Sequence, residues 1–511
     1  MNVQNDSVPE RRDLRLDLFR GLANWAIFLD HVPNNVLSWI TVRNYGFSDA
    51  ADIFVFISGF SAAAAYSAVM RAQGWVAGAA RLFARVRQLY IAHVLLFVVY
   101  VAAIGWVAQT YSHSHLLDEF NVATLISAPI ATLTAGLLLT FKPLNLDVLP
   151  LYVVLMASFA PVLWLLLRYP LFTLLASAAV YFLARFWLWN LPAYPVGVWY
   201  FNPLTWQFLF VLGAWCFLSG KEAIDAAMRS RVVLAVAVAY LAFALLMSVA
   251  ARFDSVEELF PPWLIATFSP NDKTNLAPYR VLHLLALALL VIRMIPRDAS
   301  YLTWPVLQPA ILCGQRSLDV FCAGVFLAFI AHFLLEIVSN AIAFQVVVSV
   351  LGIATMVALA RYKTWEKKLA KSTAASPRLS PTGPKRTARA GAMAGILIAA
   401  LMIDAGYELR AETPKATIVG LGATTCRRFK EDIKSDPSIK KVYLAWTQGF
   451  MSGILSRRPP GVDEGLDLNP ATFGLLNQLR FLEDLCAKNS SWDFSDAVAA
   501  LYKRLREEGK T

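Results

Sequence analysis

Along most of this chain apolar residues neither alternate nor stripe; they run unbroken. Stretches approaching the ~20 residues needed to cross a bilayer recur at 17–37, 51–69, 88–108, 147–167, 169–189, 203–219, 232–250, 278–296, 311–336 and 340–360. A further run at 121–141 contains Pro129 and is bounded by polar segments; it reads as re-entrant or surface-lying. The pattern predicts an all-α polytopic membrane protein with ten crossings in its core. From residue 412 onward the chain becomes polar, and amphipathic periodicity predicts helices at about 424–434, 438–455, 470–488 and 494–508. Asp493 or Ser495 can cap the last of these, which shows Phe494, Ala497, Val498 and Leu501 on one face.

Composition agrees with the runs. Residues are 58% hydrophobic and 16% charged, against roughly 25% charged in soluble domains, which excludes an ordinary soluble enzyme. An aromatic content of 13% excludes disorder. The net charge of +11 could mean nucleic-acid binding, but its location argues otherwise. Residues 361–390 hold nine Lys/Arg and a single acid, Glu366, among Pro and Ser; this is a cytoplasmic linker that enforces topology. Arg11, Arg12 and Arg15 before the first run place the N-terminus inside. Arg71, Arg81, Arg85 and Arg87, then Lys221, Arg229 and Arg231, then Arg293 and Arg297 fall on the same side if 121–141 does not cross.

After the linker, AGAMAGILIAALMI at 390–403 follows Lys385, Arg386 and Arg389. A basic stretch before a short apolar core has the pattern of a signal sequence; within the chain it predicts an eleventh crossing, a retained anchor that sends the remainder outside. The domains expected are therefore a ten-span core over 1–360, a basic linker over 361–389, an extra helix over 390–411 and a small helical periplasmic domain over 412–511. Of the five cysteines, Cys216, Cys313 and Cys322 lie in apolar runs. Cys426 and Cys486 fall in the outer domain, in an oxidising compartment, and predict one disulfide. No C-x-x-C or H-E-x-x-H spacing occurs, and no metal or tightly held cofactor is expected.

Chemistry is concentrated in the first run. Arg20 and His31 are eleven residues apart, about 1100° around a helix and so on one face, with about 16.5 Å between them along the axis. Arg20 then sits at the cytoplasmic mouth, and His31 past mid-membrane. The pair suits a donor with an anionic head and a long arm. Arg20 would hold phosphate, and His31 would act as general base. An arginine at a span start is often only a topology anchor, and a membrane histidine often a polar helix contact.

A family resemblance adds to this. RLDLFRGLANWAIFLDHVPNN at 15–35, with its R-x10-H pair, and DAADIFVFISGF at 49–60 resemble the signature of the acyltransferase-3 superfamily of integral membrane acyltransferases. The fuller wording, including LNLDVLPLYVVLM at 144–156 and GQRSLDVFCAGVFL at 314–327, is similar to its OpgC branch, over about residues 10–360. The resemblance implies transfer of a succinyl group from succinyl-CoA to hydroxyls of a periplasmic glucan. It also implies a catalytic His31 and an essential Arg20. Asp30 and Asp52 fall in matching motifs and could orient the imidazole; Asp52 could equally be a helix N-cap. Asp147, Arg280 and His283 could line a glycan cleft, or anchor helices at the interface. The aromatic loop 186–204 could stack on sugars or belong to an interfacial belt, and His113 and His115 lie in a polar outer loop beside Asp118 and Glu119. The C-terminal domain resembles small disulfide-containing periplasmic proteins such as acid-stress chaperones or immunity proteins, through TQGFMSG at 447–453 and its paired cysteines.

The reading is thus an inner-membrane O-acyltransferase. Its partners are acyl-CoA, a glycan acceptor, the bilayer and the glucan-synthesis machinery, with no nucleic acid. A transporter or flippase, an acetyltransferase acting on another cell-surface glycan, and a membrane anchor for the C-terminal module remain open.

Overall fold

The apolar runs fold as helices. A computed structural model describes residues 13–110, 115–375, 420–435, 439–456, 463 and 465–508, and the chain divides into two units, residues 1–379 and 380–511. In the first unit the helices are α1 (Leu14–Asp30), α2 (Ala50–Thr110), α3 (His115–Glu119), α4 (Thr124–Ser127), α5 (Pro129–Leu137), α6 (Val148–Arg168), α7 (Pro170–Phe186) and α8 (Pro203–Leu218). They continue with α9 (Lys221–Arg229), α10 (Arg231–Ala250), α11 (Asp254–Glu257), α12 (Pro262–Phe268), α13 (Pro278–Met294), α14 (Gln308–Gln315), α15 (Ser317–Ile337) and α16 (Ile342–Ala375). Among the described residues there is no strand, only isolated bridges at Pro192–Val198 and Thr425–Asp493.

Every one of the ten apolar runs holds a helix, but four boundaries differ from expectation. Helix α1 stops at Asp30 rather than running to residue 37, because Pro33 cannot continue it and Asn34 takes a left-handed backbone (φ 54°). Two expected helices merge into the 61-residue α2, interrupted at Gly74, whose φ of 81° and ψ of 177° suit glycine alone. The run at 311–336 is divided at Arg316 into α14 and α15. Helix α16 continues past residue 360 to Ala375, into the expected linker. The 121–141 segment makes helices of only four and nine residues, at ~1.5 Å per residue far short of a bilayer.

Five helices among the described residues are long and apolar enough to cross a membrane, or six if Pro203–Leu218 and Lys221–Arg229, bent by 87°, form one span. Helices α1, α7 and α13 have 17 residues each. Large apolar side chains point outward from this unit, among them Leu171, Phe172, Leu175, Val232, Val236 and Leu246. Water does not favour so broad an apolar surface, and lipid does. This is a membrane protein.

Two close helix crossings hold the centre together. Gly21 of α1 lies against the carbonyl of Ala310, and Gly314 of α14 against the carbonyl of Asp17, so neither has room for a Cβ. Gly59 of α2 and Gly213 of α8 meet the carbonyls of Phe210 and Phe56 in the same manner. Without a hydrophobic drive between helices in lipid, such backbone approach is what brings them together. Phe159 and Phe210 meet edge to face with centroids 5.0 Å apart in the same core.

The second unit forms α17 (Cys426–Ser435), α18 (Lys440–Ser456), α19 (Leu475–Lys488) and α20 (Phe494–Glu508), with the third helix starting five residues later than expected. The 447–453 segment lies within α18. Phe494, Ala497, Val498 and Leu501 are all fully buried, as their spacing implied. A disulfide joins Cys426 to Cys486, 60 residues apart in sequence. Asp463 pairs with Arg506 at 2.6 Å. Residues 390–411 lie outside the described residues.

Two outcomes are expected. Gly314→Ala alone should cost about 1–3 kcal/mol or more, since its Cβ meets the Asp17 carbonyl, read as a lowered unfolding midpoint of the purified protein in detergent, with Gly314→Val worse. Cys486→Ser should cost the second unit about 4 kcal/mol, the chain-entropy value for a loop of this length, measured by denaturant titration of Trp492 and Trp446 fluorescence against the parent.

Candidate functional site

Arg20 and His31 both belong to the α1 region, yet each opens into a different cavity. The arginine cavity, about 230 Å³, is lined by Arg20, Arg85, Ser61, Tyr66, Ser317 and Phe54, among others. Arg20 donates to the Ser61 hydroxyl of α2. The histidine cavity is larger, about 780 Å³. Its walls include Asp30, His31, Arg43, Asp49, Lys142, Asp147, Arg252, Lys273 and Arg280, together with Tyr194, Pro195, Val196, Val198 and Tyr200 of the aromatic loop. The two cavities share a partition. Val148 faces one and Leu149 the other, while Ala51 and Phe54, a turn apart on α2, do the same.

His31 is the residue just past the end of α1. Its backbone N–H closes the helix on the carbonyls of Ile27 (3.1 Å) and Phe28 (3.3 Å). The turn that follows is clamped to α16: Asn35 donates to Ser349 Oγ at 3.0 Å, and Val36 N–H donates to Gln345 Oε1 at 2.8 Å. His31 Nδ1 is buried and has no hydrogen-bond partner among the described residues. A buried polar atom of this kind calls for a function or a ligand. Neither carboxylate expected to orient the ring bonds to it here. Asp30 accepts from Thr41 Oγ1 at 2.7 Å, and Asp52 is engaged elsewhere.

Asp52, fully buried, belongs to a charge network at the start of α2. Asp49 precedes the helix and accepts from the Ala51 N–H at 2.8 Å, and Asp52 reaches back to the Asp49 N–H at 2.9 Å. These reciprocal bonds are close to a capping box, with the N-cap Asp49 accepting from the N2 rather than the N3 N–H and Asp52 as its partner. Arg280 of α13, 2% exposed, pairs with Asp52 at 2.5 Å and with Asp49 at 3.2 Å, while Lys273 pairs with Asp49 at 2.7 Å. Burial alone would raise the Asp49 carboxyl, but Lys273 and then Arg280 outweigh it and hold the group well below the carboxylate range. Lys273 shifts the other way: burial lowers it, and Asp49 more than restores it.

His283 does not line the cavity. It is buried behind it, where its Nδ1 meets the Ser48 hydroxyl at 2.7 Å and Gly46 packs flat against the ring; it braces the loop leading to Asp49. Asp147 does line the cavity, immediately before α6 and without a side-chain capping bond. Lys142, in the loop before Asp147, has its Nζ 3.7 Å from the centre of the Trp199 ring. Burial lowers its ammonium to about 8, with Asp147 opposing. Trp187 and Trp189 stack with centroids 5.1 Å apart and stand exposed beside the cavity loop. Glu119 reaches His332 at 3.4 Å, and His113 lies outside the described residues. Lys142 and Lys273 were not singled out by sequence, since each sits in a loop with nothing in its spacing to mark it; Asp49 opens the 49–60 motif but was passed over for Asp52.

A family model described as OpgC protein matches residues 12–368. The chain belongs to the OpgC family. The match covers α1 through most of α16, and with it every residue of both cavities. No curated protein and no solved structure matches the chain significantly. Membership of this family points to a transferase, and to an acyl group as what it moves.

The network offers a stability test. Asp52→Asn should destabilise the protein by about 3–5 kcal/mol, because a buried Arg280 loses its closest counter-charge. Combining it with Arg280→Gln should cost less than the two single changes added together, as thermal unfolding in detergent would show.

Proposed function

We propose that this protein is an inner-membrane O-acyltransferase. It moves a succinyl group from cytoplasmic succinyl-CoA to hydroxyls of a periplasmic glucan. The observation that carries the reading is that Arg20 on α1 and His31 just past its end line two cavities back to back. The arginine cavity receives the donor's phosphates, with Arg85 beside Arg20 in its wall. The pantetheine arm then passes the layer around Phe54 and Leu149 to bring the thioester to His31. The wider histidine cavity, rimmed by Tyr194 and Tyr200, takes the sugar.

In the reaction a glucan hydroxyl attacks the thioester carbonyl while neutral His31 accepts its proton. The C–S bond breaks, the ester forms, and the proton passes to the departing thiolate to give free coenzyme A. Asp30 stands next to His31 in the chain and offers a negative charge near the imidazolium that forms in passing. Asp49, Asp52, Lys273 and Arg280 hold the cavity wall. In this reading ten crossings put both ends of the core inside, and residues 390–411 carry the C-terminal domain to the periplasm. There it serves binding or scaffolding toward glucan-synthesis partners rather than a second reaction.

The test is vectorial. Proteoliposomes would carry labelled succinyl-CoA on the Arg20 side and glucan on the other. Label should appear on glucan with the parent and fall by about 10²–10⁴ with His31→Ala, while Arg20→Ala should raise the KM for succinyl-CoA by about tenfold to a hundredfold. Equal labelling by His31→Ala would remove the histidine as base. Movement of glucan across the membrane without labelling would replace the enzyme by a transporter.

A further inference from the structure

The histidine cavity contains five cations, and four of them are already answered. Arg280 and Lys273 are paired with Asp49 and Asp52. Arg252 donates to the carbonyls of Asn44 and Ser248 and to Asn44 Oδ1. Arg43 is exposed and donates to the Asp30 carbonyl. Lys142 differs. It is 8% exposed, its Nζ makes one long bond to the Leu139 carbonyl at 3.4 Å, and its other neighbour is the Trp199 ring. No carboxylate among the described residues comes within ion-pair distance of it; Asp147, in the same wall, acts only from farther away. An ammonium offers three donors, and leaving a buried one so poorly answered is costly unless a ligand completes it.

Its position is also built rather than incidental. Leu139 and Asn145 flank it with left-handed backbone, φ 63° and 71°, a conformation that persists where the surroundings impose it. Asn121 donates to the Lys142 carbonyl at 3.2 Å, Leu144 N–H donates to the Phe120 carbonyl at 3.0 Å, and Tyr194 N–H donates to the Thr140 carbonyl at 3.0 Å. The loop is thus tied to both the α3–α4 turn and the aromatic loop.

We propose that Lys142 receives the free carboxylate of a dicarboxylic acyl donor and so determines which acyl group is transferred. The inference rests on the acyltransferase reading above. With the thioester carbonyl at His31 and the arm filling the partition, the rest of the acyl chain has only the histidine cavity to enter. There the buried cation with no carboxylate partner among the described residues is Lys142. A four-carbon acyl group ending in carboxylate meets a charge, whereas the same chain ending in methyl meets a site that stays unpaired.

The full chain in proteoliposomes would be assayed with succinyl-CoA and with butyryl-CoA, using an uncharged glucan as acceptor. The parent should prefer succinyl. Lys142→Met should reduce the succinyl-to-butyryl ratio of kcat/KM by about tenfold to a hundredfold, while Lys142→Arg should keep the preference. An equal loss with both donors, or no preference in the parent, would overturn the proposal. So would a Lys142→Met defect that appears only with an anionic acceptor and is the same for both donors, since the cation would then read the acceptor. If the parent transfers neither group, the acyltransferase reading itself falls. Butyryl transfer that depends on His31, without succinyl preference, would leave that reading standing and remove this one alone.

Discussion

The fully buried carboxylate of Asp52 against the guanidinium of Arg280 is the interaction on which the geometry of the site depends. It joins the first turn of α2 to the first turn of α13, 228 residues apart in sequence. Charge this deep is poor at adding stability, but it fixes a relation between two helices that apolar packing would leave free to slide. Asp49 and Lys273 extend the same relation to the loops on either side, and His283 with Ser48 braces the approach from behind. One wall of the histidine cavity is therefore held by charge pairs rather than by close packing, which keeps it open without leaving it loose.

Much of this was legible in the sequence, and the rest was not for definable reasons. Hydropathy places a helix in each of the ten runs, because only a helix satisfies its own backbone bonds in lipid. It misplaces ends wherever local backbone overrides apolarity, as at Pro33 and Asn34 after α1. Equally, it does not separate the two halves of 311–336, where the polar Arg316 is flanked by residues that look continuous. Arg20 and His31 stood out because charge is rare inside such runs. Asp49 and Lys273 did not, since a charged residue in a polar loop is unremarkable until the fold carries Arg280 to it. In the C-terminal unit the apolar spacing of the last helix and the isolation of Cys426 and Cys486 were enough to give both core and cross-link.

In the proposed reaction the two cavities divide recognition from chemistry, one beside α1 and the other at the residue just past its end. In that reading the layer at Phe54 and Leu149 is what the donor's arm passes to reach His31.

The end of α1 at Asp30 gives those two functional residues different mechanical standing. Arg20 rides on a rod pinned by Gly21 and Gly314 to α14, whereas His31 sits at the head of a short turn fastened to α16 through Asn35 and Gln345. Side-chain variation within that turn would re-aim the imidazole while leaving the arginine's register untouched. In the proposed reaction the acceptor end can therefore be retuned by itself, with the donor end unchanged.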